Sequence, residues 1–194
     1  MWQVLTDHFQ RFPAQERVVR LMINKGLRIE GDAVYCGTVE VADTALARAA
    51  EVDRRIVRAA VETINKNPQL AAAFSKFLPT LHLKDAAAAL GCGVLEIVPT
   101  DPHAPGILAN VARVIAQNGL SIRQAIVEDA DFSDQPLLYV VTESLVPQTL
   151  VLPLQRVPGV KSVTIRDAAG QVVPAPKPDP RFVEDRDPRR PWEV

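Results

Sequence analysis

The sequence predicts an α+β protein with a mainly helical first half and a second half of element order βαββαβ. Apolar residues recur at steps of three and four over residues 14–25 and 53–66, which is the pattern of one buried helical face. From residue 92 onward, short alternating apolar runs flank two helical stretches, as expected for a sheet covered by helices. A chain of 194 residues is long enough for two small domains with separate cores.

The first half opens with two predicted helices followed by a small β-hairpin. A short helix fits residues 2–12, and a second fits residues 14–25 and ends at Gly26. Over residues 27–41 the apolar residues instead recur at every second position, which predicts short strands joined by glycine-containing turns.

Residues 43–66 carry a helix-turn-helix pattern. Asp43 or Thr44 is placed to cap a short helix, and Asp53 is placed to cap a longer one. Val52, in the turn between them, is the expected apolar plug. The first half is therefore predicted to be a helix-turn-helix-like domain.

Three arginines at the start of the second helix, Arg54, Arg55 and Arg58, lie away from its apolar stripe. In a DNA-binding helix-turn-helix they would contact phosphates or guanine edges of double-stranded DNA. The alternative is a solvated outer face on a domain that binds protein. Residues 1–90 carry a net charge of only +2, which is small for a DNA binder, although a symmetric dimer would double the patch.

Residues 67–91 are predicted to be a helical connector. Two short helices fit this stretch, separated at Pro79, and the second is the alanine-rich run over 81–91. Alanine is the strongest helix former, and Gly91 ends the run.

The most informative stretch of the second half is 94–124. It reads as an apolar strand, a corner at Pro105-Gly106, an amphipathic helix, a stop at Asn118-Gly119 and a second strand. Further along, residues 137–141 fit a third strand, 146–157 a second helix, and 160–165 a fourth strand. This order predicts a ferredoxin-like antiparallel sheet with both helices on one face.

Residues 92–166 resemble an ACT domain, a small ligand-binding module of regulated enzymes and regulators of amino-acid metabolism. The resemblance rests on the Pro-Gly corner and the Asn-Gly cap taken together. The whole arrangement also resembles a family of prokaryotic regulators of amino-acid metabolism. The stretches that carry it are PAQERVVRLMINKG, DTALARAAEVDRRIV and GLSIRQAIVEDADFSDQPLLYVVT.

This resemblance implies a homodimer or higher homo-oligomer formed through the ACT domain, with a free amino acid as its effector. It implies a ligand site at the dimer interface, between the loop before the first helix and the start of the second strand. The corresponding residues are Asp101, His103, Ala104, Pro105, Gly106, Ile107, Ser121 and Ile122.

The chemistry of that loop fits an amino acid. Backbone N–H groups of Gly106 and Ile107 open a helix, where the dipole favours a carboxylate. Asp101 could accept the ammonium, and Ser121 could hold a polar side-chain atom. The alternative is that Asp101 hydrogen-bonds its own backbone, as aspartate commonly does before a turn.

No motif for catalysis, metal binding or a cofactor stands out. His8, His82 and His103 are scattered, and the chain has no P-loop, HExxH or paired CxxC motif. We therefore expect a non-enzyme without cofactor or metal. No apolar run is long enough to span a membrane and no signal peptide is recognisable, so the expected location is the cytoplasm.

The predicted organisation is a helix-turn-helix-like domain over 1–66, the connector over 67–91, the ACT domain over 92–173 and a proline-rich charged tail over 174–194. In the tail, Phe182 and Trp192 could contact a partner subunit, or the tail could be loosely placed. The predicted function is an amino-acid-responsive regulator that binds DNA. The alternatives are an interaction subunit that tunes a biosynthetic enzyme, and an ACT fold used only for dimerisation.

Overall fold

The structure is a computed structural model that describes residues 2–133, 135–166 and 172–173. The chain divides into two compact units, Met1–His82 and Leu83–Val194. Both contain helices and antiparallel strands, so the predicted α+β class is confirmed. The proline-rich tail, with Phe182 and Trp192, lies outside the described residues.

The first unit contains a three-stranded antiparallel sheet of strand order β1-β2-β3. Along the chain, its strands follow the second helix and precede the third. Its elements are α1 (Trp2–Phe9), α2 (Pro13–Asn24), β1 (Arg28–Glu30), β2 (Ala33–Cys36), β3 (Val39–Val41), α3 (Asp43–Ala49), α4 (Arg54–Lys66) and α5 (Pro68–Phe74). Helices α2 and α4 contact each other, and α3 also packs on α4. The fully buried faces of α2 and α4, which include Met22 and Ile64, form the centre of this core.

The helix-turn-helix pattern folds as helix α3, a four-residue turn and helix α4. Asp53 caps α4 as expected, because its side chain accepts a hydrogen bond from the Arg55 N–H at 2.8 Å. The predicted side-chain cap of α3 is wrong: Ala42 occupies the N-cap position, and Asp43 is already the first helical residue. The Asp43 carboxylate instead accepts a hydrogen bond from Arg58 Nε at 2.8 Å, because the guanidinium charge makes this the stronger interaction.

Helix α3 ends in a Schellman turn with an uncommon residue at its left-handed position. The Val52 N–H donates to the Ala47 carbonyl at 2.9 Å, and the Glu51 N–H donates to the Arg48 carbonyl at 3.3 Å. Glu51 has φ 54°, a conformation that glycine usually supplies at this position. Val52, half-buried in the turn, lies where the apolar plug was predicted.

The second unit contains a five-stranded antiparallel sheet of order β5-β6-β4-β7-β8. Its elements are β4 (Gly93–Pro99), α6 (Ile107–Gln117), β5 (Ile122–Val127), β6 (Leu138–Thr142), α7 (Val151–Gln155), β7 (Val160–Arg166) and β8 (Val172–Val173). The first six elements after the connector follow the predicted ferredoxin-like order βαββαβ, and β8 adds a short strand beside β7. The main core lies between the sheet and the helices, and it includes Leu95, Val111, Val140 and Leu154.

The second helix of this unit is shorter than predicted. A 3₁₀ turn over Gln148–Leu150 leads into α7, where the sequence pattern suggested one helix over 146–157. Pro153 lies in the first turn of α7, where its missing N–H removes no intrahelical hydrogen bond.

The alanine-rich run of the connector does not form the predicted α-helix. Turns lead into a 3₁₀ helix at Ala88–Leu90, and Gly91 closes it in a left-handed conformation with φ 72°. Leu83 and the fully buried Ala87 pack against Val94 and Val141, on the face of the sheet opposite the helices. Packing on the sheet therefore overrides the helix propensity of alanine, which is only a weak preference.

A polar cluster of Lys84, Glu96, Tyr139 and Arg166 lies on this helix-free face of the sheet. The Glu96 carboxylate is 2.8 Å from Arg166 and 3.3 Å from Lys84 Nζ, which also donates to the Tyr139 hydroxyl at 2.9 Å. Burial opposes the charge of Lys84, but the hydrogen bond to Tyr139 and the charge of Glu96 outweigh it, so the pKa of Lys84 is raised. The cluster holds the connector to the sheet. Nearby, the Leu83 N–H donates to Gln124 Oε1 at 2.8 Å.

Candidate functional site

The loop between β4 and α6 is fixed by its own backbone. Asp101 Oδ1 accepts a hydrogen bond from the His103 N–H at 2.9 Å, and the Ala104 N–H donates to the Asp101 carbonyl at 3.1 Å. The Thr100 N–H donates to the Gly159 carbonyl at 2.8 Å, which joins the loop to the start of β7. Asp101 thus forms the local turn that the sequence offered as its alternative role.

The loop ends at Gly106, which is the N-cap of α6. Gly106 has φ 88° and provides no side-chain cap. The first intrahelical hydrogen bond runs from the Asn110 N–H to the Gly106 carbonyl at 3.0 Å, so the N–H groups of the first three helical residues have no intrahelical acceptor. Together with the helix dipole, these groups favour an anion at this end of the helix.

A pocket of about 170 Å³ opens beside this helix terminus. It lies between the loop, the end of β5 and the segment that enters β6. Its walls are almost entirely apolar, and three of the lining residues are prolines, which offer no backbone N–H. The lining residues are Pro99, Pro102, Ala104, Gly106, Ile107, Leu108, Val127, Glu128, Pro136, Leu137 and Leu138.

Glu128 is the charged residue in this lining, and sequence reasoning did not select it as a site residue. Its Oε2 accepts hydrogen bonds from Ser133 Oγ at 3.3 Å and from the Leu137 N–H at 3.2 Å. Its own N–H donates to the Leu137 carbonyl at 2.9 Å. The carboxylate is therefore held in one orientation at the end of β5. The only feature of the sequence that marks Glu128 is its position directly after a predicted strand, at the start of an acidic run.

The eight predicted ligand residues do not all meet at this pocket. Ala104, Gly106 and Ile107 line it, whereas Asp101, His103 and Pro105 belong to the same loop without lining the pocket. Ser121 and Ile122 lie at the start of β5, and the pocket lies at its end. Five residue steps along an extended strand span roughly 17 Å, so one protomer does not bring Ser121 or Ile122 to this pocket.

Among the described strands, β5 lies at one edge of the sheet and the short strand β8 lies at the other. The outer side of β5 carries N–H and C=O groups that an incoming strand can pair. Val127, at the end of this edge, is 57% exposed, and the neighbouring Leu108 is 40% exposed. The edge, these two apolar side chains and the pocket form one continuous surface.

The three predicted DNA-binding arginines are all exposed at the start of α4. Arg58 is paired with Asp43, as described above. Two clefts beside Arg54 and Arg58 are lined by acidic residues as well: Asp32, Glu40, Asp43 and Glu62. The positive charge on this side of α4 is thus largely compensated, and Arg55 does not line either cleft.

Two negative findings apply to the described part of the chain. It contains no group of three or more histidine, cysteine, aspartate or glutamate side chains arranged to hold a metal ion. Nor does any of its helices have the length and hydropathy needed to cross a bilayer. Both cysteines are free, Cys92 buried and Cys36 half-buried.

No family model matches the chain, and no curated protein matches it. Among solved structures, a glycine-to-threonine mutant of Rv3291c aligns at 13% identity and a TM-score of 0.27, covering 78% of this chain and 88% of that one. An AsnC family transcriptional regulator from Agrobacterium tumefaciens aligns at 11% identity and a TM-score of 0.27, covering 88% of this chain and 98% of that one. Similarity at this level assigns no function, and membership of the ACT family stays a prediction.

Proposed function

We propose that this protein is an amino-acid-responsive regulator in which the second unit binds a free amino acid and the first unit carries the response. The observation that supports this best is the pocket beside the N-terminus of α6. The open N–H groups of that helix suit an α-carboxylate, and the pocket is large enough for a side chain. A helix terminus and a cavity that meet in this way suit an amino acid better than either feature would alone.

The proposed site is completed by a second copy of the chain. If two β5 strands pair antiparallel about their midpoint, residues Ile122 and Val127 of different subunits lie opposite each other. In the same register, Ser121 of the partner subunit lies opposite Glu128. This arrangement brings both predicted strand residues to the pocket from the second subunit, and it covers the open edge and the exposed Val127.

A thermal-shift screen with the twenty amino acids, run beside light scattering, tests this proposal. A ligand that binds only the native state stabilises it by about 2.7 kcal/mol at one hundred times its Kd. We therefore expect one chemical group of amino acids to raise the Tm, and a homodimer at micromolar protein concentration. A monomer whose Tm no amino acid changes would contradict both the sensor and the edge pairing.

The first unit can carry the response in one of two ways, and the first of these is binding to DNA. If α4 enters the major groove, the double variant Arg54→Ala/Arg55→Ala should bind DNA more weakly. The slope of log K against log salt should then fall by about one for each phosphate that the variant no longer neutralises. Gel shifts across a salt series measure this. The control is Arg20→Ala, an exposed arginine of α2 paired with Glu16, which should leave the slope unchanged.

Docking on a protein partner, such as a biosynthetic enzyme, is the second output. It is favoured by the acidic residues that line the clefts beside Arg54 and Arg58, since they would repel the DNA backbone. This alternative predicts no salt-dependent binding of the wild-type protein to any genomic fragment. The same gel-shift series therefore separates the two outputs.

A further inference from the structure

We propose that the amino acid recognised is apolar, with a branched or phenyl side chain of about the size of leucine or phenylalanine, and that Glu128 binds its ammonium group. This inference rests on the proposed function, because it specifies the ligand of the same pocket. It is carried by three observations: the volume of the pocket, the chemistry of its walls, and the position of the charged side chain among its lining residues.

The volume of the pocket sets the size of the ligand side chain. A closed apolar cavity of about 150 Å³ accepts benzene, and this pocket, which is open to solvent on one side, has a similar volume of about 170 Å³. A branched four-carbon side chain or a phenyl ring fills such a space. The side chains of glycine, alanine and serine leave most of it empty and gain little from burial.

The walls of the pocket favour apolar ligand side chains over polar ones. Nine of the eleven lining residues are proline, alanine, valine, leucine or isoleucine, and the prolines have no N–H to donate. A hydroxyl or amide that contacts these apolar side chains loses hydrogen bonds to water, and the apolar side chains themselves offer no replacement. An apolar ligand is thus preferred over a polar ligand of the same shape by roughly tenfold or more.

The polar ends of the pocket match the backbone of a free amino acid. The N–H groups at the start of α6 receive the carboxylate, and Glu128, the acidic residue of the lining, receives the ammonium. Glu128 is already oriented by Ser133 and by the Leu137 N–H, so little ordering is needed when the ligand binds. Asp101, the acceptor expected from the sequence, holds the His103 N–H and is absent from the lining.

Calorimetry on the full chain with matched ligands tests the side-chain preference. Leucine, isoleucine, valine and phenylalanine are the probes, and threonine replaces one methyl group of valine by a hydroxyl. We expect at least one probe to bind, and valine to bind about tenfold or more tightly than threonine. If serine, threonine or asparagine binds more tightly than all four probes, the apolar assignment is wrong while the amino-acid sensor stands. If no amino acid binds, both fail.

Glu128→Gln tests the ammonium contact in the same experiment. With leucine we expect a loss of about tenfold or more in affinity, since a charge-assisted hydrogen bond is removed. The affinity for 4-methylpentanoate, which is leucine without its amino group, should not change. Equal losses for both ligands would mean that Glu128 only closes the loop to Leu137, and would overturn its assignment. Glu62→Gln, at a carboxylate 66% exposed in the first unit, is the matched control and should bind leucine like the wild type.

Ala104→Leu tests the location of the ligand independently. The larger side chain is expected to fill the pocket and to abolish leucine binding. The thermal melt of the variant without ligand shows whether it is folded. A folded Ala104→Leu variant that binds leucine with unchanged affinity would place the ligand elsewhere and overturn the proposal.

Discussion

Replacing Gly26 with alanine should destabilise the first unit by about 2–5 kcal/mol, the sum of two separate costs. Gly26 has φ 59°, a left-handed conformation that costs an alanine about 1 kcal/mol or more. A Cβ atom there would also lie 2.7 Å from the carbonyl carbon of Leu78 and 2.9 Å from Cα of Pro79. Both are backbone atoms, so relief requires the chain itself to move.

Gly31→Ala separates the two costs, because Gly31 also has φ 59° but no atom lies within 4 Å of its added Cβ. The free energy of unfolding of this variant should fall only by the cost of the left-handed backbone conformation, about 1 kcal/mol. Urea unfolding of both variants provides the comparison. Equal losses in Gly26→Ala and Gly31→Ala would show that residues 78–79 do not press on Gly26.

Removing the carboxylate of the polar cluster with Glu96→Ala should cost about 2–3 kcal/mol of stability. The Glu96 side chain is only 15% exposed, and it pairs with both Lys84 and Arg166. Its loss leaves two partly buried cations near each other without their shared partner. Thermal and urea unfolding of the full chain measure the effect, which should appear in the transition of the second unit.

Glu143→Ala is the control for this prediction. Glu143 also pairs with an arginine on the same sheet, but the side chains are more than half exposed and the nearest atoms are 3.8 Å apart. Exposed pairs of this kind contribute about 0–1 kcal/mol. The double variant Glu96→Ala/Lys84→Met should recover part of the loss, because it removes one of the two positive charges that Glu96 compensates. If Glu96→Ala behaves like Glu143→Ala, the cluster does not hold the connector to the sheet.

The elements that the sequence predicted well carry strong local signals. Gly26 and Gly119 both take the left-handed conformation after a helix, and both helices end within two residues of these positions. Strands β5 and β7 alternate in burial as a strand with one covered face does, whereas β6 is buried on both faces. The alanine-rich run over 81–91 was mispredicted because its fold depends on contacts with Val94 and Val141, which a local pattern does not contain.

The residues of the candidate site also divide into those with a local sequence signal and those without one. Ala104, Gly106 and Ile107 could be selected from the sequence, because the Pro-Gly corner and the helix start are adjacent in the chain. Glu128 and Leu137 reach the pocket only through the pairing of β5 with β6, which aligns Val127 with Leu138. The pairing of Asp43 with Arg58 likewise depends on how α3 crosses α4. Such contacts join residues that are distant in sequence, and neither the composition nor the periodicity of the chain indicates them.

The hydrogen bond from the Leu83 N–H to Gln124 Oε1 joins the edge strand β5 to the first residue of the second unit. Leu83 directly follows His82, the last residue of the first unit, so the covalent chain between the units is tethered to β5 at this point. Under the function proposed above, a displacement of β5 by a bound effector would reach residue 83 through this hydrogen bond and continue along the covalent backbone.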